Sequence, residues 1–207
     1  MKIAFAQTGE NDYCEHFLKS VEGNELWHIT DMETPVLPGC NVHRVPRKDG
    51  EGFIIWRAKA YADFNQPGLY CDTDLIIQRN LDQLWALDFD VMLTRSEHRI
   101  IAQDGTCTSD LMPYNGGVAF VKNANYWPHI LMKIQDMRIE AHDWWGDQLA
   151  MAAIINVYRT ILLPAGLYNY SPKRDKSDKD VLGSKYILHF KGDRKPMMID
   201  YAKEKEQ

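Results

Sequence analysis

Short apolar runs alternate with stretches of helical spacing along most of this chain. "KIAFAQ" (2–7), "ELWHIT" (25–30), "NVHRV" (41–45), "DVMLTR", "GVAFVKN" (117–123), "RTILLP" and "YILHF" are brief, apolar and rich in β-branched or aromatic residues, as buried strands are. Between them, "YCEHFLKSVEG" brings back Tyr13, Phe17 and Val21 at every fourth residue and closes on Gly23, which predicts a helix and its stop. "GFIIWRAKAYADF" (52–64) places Arg57 and Tyr61 on one helical face and ends at "NQPG". "LDQLWAL" predicts a short helix. "NANYWPHILMKIQDMR" predicts one with an Asn cap, Pro128 in its first turn, and Trp127, Leu131, Ile134 and Met137 on its apolar stripe. "GDQLAMAAIINVY" is almost wholly apolar and predicts a buried helix. This alternation predicts an α/β protein with helices on both faces of a sheet.

Composition narrows the picture. The chain has 207 residues, 45% of them apolar, with no internal repeat or low-complexity linker, so one domain over residues 1–207 is expected. A net charge of −5 and a pI near 5.8 provide no general attraction to nucleic acid or anionic lipid, and the basic residues are dispersed. The start of the chain lacks the apolar region of a leader, and no 18-residue apolar span occurs, so a soluble protein is expected. Cys14, Cys40, Cys71 and Cys107 are widely spaced without a metal-binding pattern, which fits reduced thiols in a cytoplasm.

Carboxylates carry the candidate chemistry. Chance alone yields about 1.7 Asp-x-Asp pairs at this Asp content, so the three present prove nothing by spacing. Asp178/Asp180 lies in the charge-dense "SPKRDKSDKD", which reads as a solvated loop and a mobile lid. Asp88/Asp90 reads as a surface turn. Asp72/Asp74 interrupts the apolar run "LYCDTDLII". On one extended strand the two side chains would share a face, with Thr73 opposite. Two buried carboxylates side by side repel, and a divalent cation relieves that conflict. "HFKGDRKP" adds His189 as a third ligand candidate, Gly192 for close backbone approach, and Lys195 as a cation. "PYNGGVAFV" sets Asn115 and two glycines before a strand, and "WWGDQ" sets Asp147 and Gln148 at a helix start, where a cap would explain the Asp.

In this order the pieces resemble the GT-A-fold glycosyltransferases, and within them glycosyltransferase family 8. The matching segments are "IAFAQTGENDYCEHFLKSVE", "LYCDTDLII…LDQLW", "YNGGVAF", "WGDQLAM" and "HFKGDRKP", spanning residues 2 to 196. The resemblance implies a single GT-A domain with a mixed, mostly parallel sheet, acting as a retaining, metal-dependent hexosyltransferase. The implied cofactor is Mn²⁺ or Mg²⁺, and the implied donor is a nucleoside-diphosphate sugar, expected to be a UDP-sugar. The acceptor would be a carbohydrate, a protein or another small molecule, and the missing basic face weighs against nucleic acid. By the same resemblance, Asp74 and His189 bind the metal, and Asp72 meets the metal through water or else the ribose. Lys195 and the Gly192 backbone hold the diphosphate. Thr8, Tyr13 and Arg57, with Lys59 a weaker candidate, serve base, ribose and phosphates. Asn115, Asp147 and Gln148 line the sugar, and Trp144 or Trp145 could stack on an acceptor sugar. Two other classes compete. A nucleotidyltransferase of related fold would carry a basic, Gly-rich first loop, whereas "AQTGENDYCEH" has one Gly and no Lys or Arg. A silent binding protein of the same fold would bind no metal.

Overall fold

The computed structural model describes residues 1–96, 108–143 and 145–206. Trp144 and Cys107 lie outside them. In chain order the strands are β1 (Lys2–Ala6), β2 (Glu25–Thr30), β3 (Asn41–Arg44), β4 (Gly68–Cys71), β5 (Leu75–Ile77), β6 (Val91–Arg95), β7 (Tyr114–Val121), β8 (Thr160–Leu163) and β9 (Ile187–His189). The longer helices are α1 (Cys14–Ser20), α2 (Phe53–Phe64), α5 (Tyr126–Gln135), α7 (Gly146–Ile154) and α10 (Lys195–Glu206). Single turns complete the numbering: α3 (Asp82–Trp85), α4 (Thr108–Leu111), α6 (Glu140–Asp143), α8 (Ala165–Tyr168) and α9 (Lys179–Leu182).

Seven strands form one sheet in the order β3-β2-β1-β4-β7-β6-β8. All neighbours are parallel except those of β7, which runs against both β4 and β6. The sheet is therefore mixed and mostly parallel, as expected. Because side chains alternate along a strand, each strand feeds two cores. Ala4, Tyr70, Leu93 and Ala119 face α2, α5 and α7. Ile3, Phe5, Leu69, Cys71, Met92 and Phe120 face α1, α10 and a small antiparallel ribbon of β5 and β9. Each fully buried Leu or Phe is worth about 1.5–3 kcal/mol, so both layers are firmly held. The free thiols Cys14 and Cys71 are buried, and burial pushes Cys14 up to about 11, leaving it protonated at neutral pH.

Three expectations change. "LYCDTDLII" is not one strand: β4 ends at Cys71, and β5 belongs to the small ribbon. Asp72 and Asp74 therefore lie in the bend where the chain leaves one sheet for the other. Asn125 makes no side-chain cap to α5; Asn123 Oδ1 instead accepts from Asn125 N at 3.0 Å, closing an Asx turn just before the helix. Asn115 and the two glycines lie inside β7, where pairing with β6 slips from Leu93↔Ala119 to Thr94↔Asn115. That irregularity leaves Gly116 to Val118 unpaired on the β6 side and bends the strand toward the site.

Candidate metal and nucleotide site

The ends of β1, β4 and β6 and the start of β7 meet along one edge of the sheet, where ligands collect in α/β folds. A cavity of about 380 Å³ opens there. Gln7, Thr8 and Asn11 line it on the β1 side, Asp72, Thr73, Asp74 and Lys195 at its middle, and Asn115, Asp147, Gln148 and Trp145 beyond.

The middle is built around His189. Opposite Leu75 in the ribbon and only 4% exposed at its side chain, His189 sits beneath the two aspartates. Its Nε2 is 3.0 Å from Asp74 Oδ1 and 3.7 Å from Asp72 Oδ2. One ligand atom from each of the three residues lies within 4.8 Å of the others. On the far side of the ring, Nδ1 is 2.8 Å from Asn169 Oδ1. Asn169 donates its amide hydrogens to Thr94 Oγ1 (2.6 Å) and Asn115 Oδ1 (2.9 Å), so its oxygen is left to accept. Nδ1 therefore carries the ring proton, and Nε2 turns a lone pair toward the carboxylates. Asp74 Oδ1 is buried and meets no hydrogen-bond donor. Lone pairs gathered in one buried place repel unless a cation joins them. Two carboxylates and an imidazole suit Mn²⁺ or Mg²⁺, so these residues fit a divalent ion.

Glycine makes this convergence physically possible. A Cβ on Gly117 would stand 2.3 Å from His189 Cε1 and 2.7 Å from Asp72 Oδ2; one on Gly116 would stand 2.6 Å from Asp147 Oδ2. A side chain at Gly117 would displace two candidate ligands, and one at Gly116 would displace Asp147. Lys195 Nζ, at the start of α10, is 3.5 Å from Asp74 Oδ2. Burial acts to raise the Asp74 carboxyl, but its interactions with His189 and Lys195 outweigh it and hold the group below the usual carboxylate range.

Arg57 holds a different pair. Its guanidinium donates to Asp72 Oδ1 at 2.8 Å and to Asp147 Oδ2, joining the bend after β4 to the start of α7. Asp147 is not the expected cap: α7 follows Trp145 without a side-chain cap, and Asp147, inside its first turn, is buried and ion-paired, while its other oxygen accepts from Gln148 N at 2.9 Å. Trp145, just before α7, is 44% exposed and left-handed, with φ of 49°, at the rim of the cavity. A bulky residue with positive φ is rare and costs energy.

Other candidates fall elsewhere. Tyr13 packs on the lower core, with Lys195 Nζ 5.9 Å from its ring, and does not line the cavity. Gly192 does not line it either; its φ of 60° turns the chain so that Lys195 comes back toward Asp74. Lys59 bonds Pro46 O at 3.0 Å and pairs with Glu51, away from the cavity. No residue of the "SPKRDKSDKD" segment lines the cavity, and its Asp178 is buried, not solvated. Ion pairs Lys176–Asp200 and Lys179–Glu204 fasten it to α10. Sequence reasoning missed Asn169, Asn11 and Phe53. Asn11 carried a weak signal as an Asx-type residue beside Tyr13, and its amide bonds Thr73 Oγ1 at 2.9 Å.

No family model and no curated protein matches the chain. Solved structures do. The glycosyltransferase GlyE of Streptococcus pneumoniae TIGR4 superposes on 97% of this chain with a TM-score of 0.62 at 16% identity. The galactosyltransferase LgtC, solved with donor and acceptor sugar analogues, superposes on 99% with a TM-score of 0.61 at 15% identity. The fold is GT-A. A glycosyltransferase involved in glycosylating the major capsid of PBCV-1 shares this GT-A fold over 97% of the chain, with a TM-score of 0.61 and 12% identity. The chain spans 59% of the length of GlyE, 96% of LgtC and all (100%) of the PBCV-1 protein. Among the described residues, no helix is long and apolar enough to cross a membrane.

Proposed function

We propose that this GT-A chain transfers a sugar, with retention, from a nucleoside-diphosphate sugar to an acceptor hydroxyl, using a divalent cation. The observation that carries the reading is the cluster of Asp72, Asp74 and His189, with Lys195 beside it, at the middle of a cavity at the sheet edge. When bound there, the cation would stabilise the charge on the departing diphosphate.

The protein's own residues divide the remaining work. Lys195 supplies a second positive charge where the diphosphate would lie, and Asp74 positions its ammonium. Gln7, Thr8 and Asn11 offer polar contacts to the nucleoside on the β1 side. Arg57 holds Asp147 in an ion pair, so Asp147, Gln148 and Asn115 present a fixed polar wall to the sugar. Exposed Trp145 at the rim offers a flat apolar face to an incoming sugar ring.

The test is release of nucleoside diphosphate from a panel of nucleotide sugars with Mn²⁺, UDP-sugars first. Slow hydrolysis needs no known acceptor. The expected result is metal-dependent release from one or a few donors. No release from any donor, together with no Mn²⁺-dependent nucleotide binding, would overturn the proposal.

A further inference from the structure

We propose that a second pocket, behind Asn169, binds a phosphate group and that this phosphate belongs to the acceptor. A cavity of about 270 Å³ is lined by Arg95, Lys173, Lys191 and Arg194, with Asn169 and Ser171 among its polar groups and no carboxylate. The whole chain carries a net charge of −5, so four converging cations run against its composition. They also come from separate places: the end of β6, the segment before α9, and the turn between β9 and α10.

The pocket is built, and three of its four cations form no ion pair among the described residues. Arg174, Lys176 and Lys179 pair with Asp193, Asp200 and Glu204. Lys173, in the same segment, turns the other way into the pocket. Among the described residues, Arg95, Lys173 and Arg194 form no ion pair. Arg194 Nε donates to Pro172 O at 2.8 Å, tying two walls together, and Lys173 N donates to buried Asp178 Oδ2 at 2.9 Å, fixing the turn. Arginine forks and ammonium groups arriving from several directions suit a tetrahedral, multiply charged phosphate better than a planar carboxylate.

Position gives the phosphate its role. Asn169 lines this pocket and also bonds His189 and Asn115, so the two cavities share one side chain as a wall. The nucleoside end of the main cavity lies on the β1 side, whereas the basic pocket lies at the ends of β6 and β8. A donor filling the first leaves the second for the acceptor. That assignment rests on the proposed transfer reaction; the pocket's chemistry does not.

Calorimetric titration of inorganic phosphate and of glycerol phosphate into the full chain, without divalent metal, tests the pocket. Saturable binding is expected, weakened about tenfold or more by Arg95→Gln with Lys173→Gln. The charge-preserving pair Arg95→Lys and Lys173→Arg should retain it, and Lys195→Ala, in the other cavity, should leave it unchanged. Absence of saturable binding, or equal loss in the Lys195 variant, overturns the proposal. Sedimentation with phosphatidylglycerol vesicles but not phosphatidylcholine, lost in the Gln pair, would place the phosphate on a lipid headgroup. Binding of glycerol phosphate alone would place it on a soluble ester. Mn²⁺-dependent release of nucleoside diphosphate by the unsubstituted chain separates the two readings. Release without phosphate binding removes the pocket and keeps the transferase, and phosphate binding without release does the reverse.

Discussion

Asp74 and Asp178 are each part of an Asp-x-Asp pair, and both are buried. Each leaves its Oδ1 buried without a hydrogen-bond donor, but what faces the rest of the carboxylate differs. Asp178 Oδ2 accepts from Tyr170 OH at 2.6 Å and Lys173 N at 2.9 Å, donors supplied by its own stretch of chain. Asp74 turns an oxygen to the unprotonated face of His189, with Asp72 nearby and no donor for that oxygen. The first carboxylate is a staple for a turn. The second belongs to a cluster that fits a cation. Burial alone therefore does not mark a site; what marks it is whether the facing atoms give protons or lone pairs.

The sharpest way to break this comparison is Asp74→Asn. It should lower Mn²⁺ affinity by more than about a hundredfold, beyond the effect of losing an outer partner, with the fold intact by circular dichroism. Unchanged Mn²⁺ binding by calorimetry would put Asp74 in the same class as Asp178. Asn169→Ala should cost about ten- to a hundredfold in Mn²⁺ affinity, because His189 loses the partner that fixes its tautomer. Lys195→Ala should leave Mn²⁺ binding alone and weaken nucleoside diphosphate about tenfold or more. Excess Mn²⁺ should not restore it, which distinguishes a phosphate contact from a metal contact. Asp178→Ala should leave both affinities unchanged and reduce unfolding free energy by about 1–3 kcal/mol, read in urea.

The smallest effect concerns His28, which is fully buried and stacked on Phe5 at 5.2 Å. Burial lowers its pKa below the ordinary 6.5. The unfolded chain therefore takes up this proton first, so stability should fall as pH drops below about 6.5 toward the depressed folded value. His28→Phe should remove that acid-side slope in urea melts across the same range, without altering metal binding.

The alternation of strands and helices was legible because each element in the main sheet is a short apolar run with a clear stop. What periodicity could not register was a change of sheet. "LYCDTDLII" is apolar on both sides of its aspartates, and nothing local distinguishes one long strand from two strands in different sheets. The pairing of Asp72 with Asp74 was thus right for the wrong reason: they converge through a bend and through His189, not through strand alternation. Asp178 misled in the other direction, since a run of Lys and Asp resembles solvated chain until Tyr170 is seen to reach it. Asn169 left no sequence signal beyond its place in "YNY", because its importance lies in three partners (Thr94, Asn115 and His189) distant along the chain. Lys59 and Arg57 share a helix, yet only the fold shows that one turns to Glu51 and the other to the cavity.

The lone reversed strand has an architectural consequence. Because β7 runs against its neighbours, its beginning and the end of β6 both reach the cavity edge, where Ser96 N bonds Pro113 O at 2.8 Å and Ser96 Oγ bonds Met112 O at 3.2 Å. Those contacts clasp the two ends of the intervening stretch independently of what lies within it. Doubling the length of a clasped loop costs only about 0.6 kcal/mol in closure entropy. Sequence exchanged between Ser96 and Met112 should therefore leave the ladders of β6 and β7 in register.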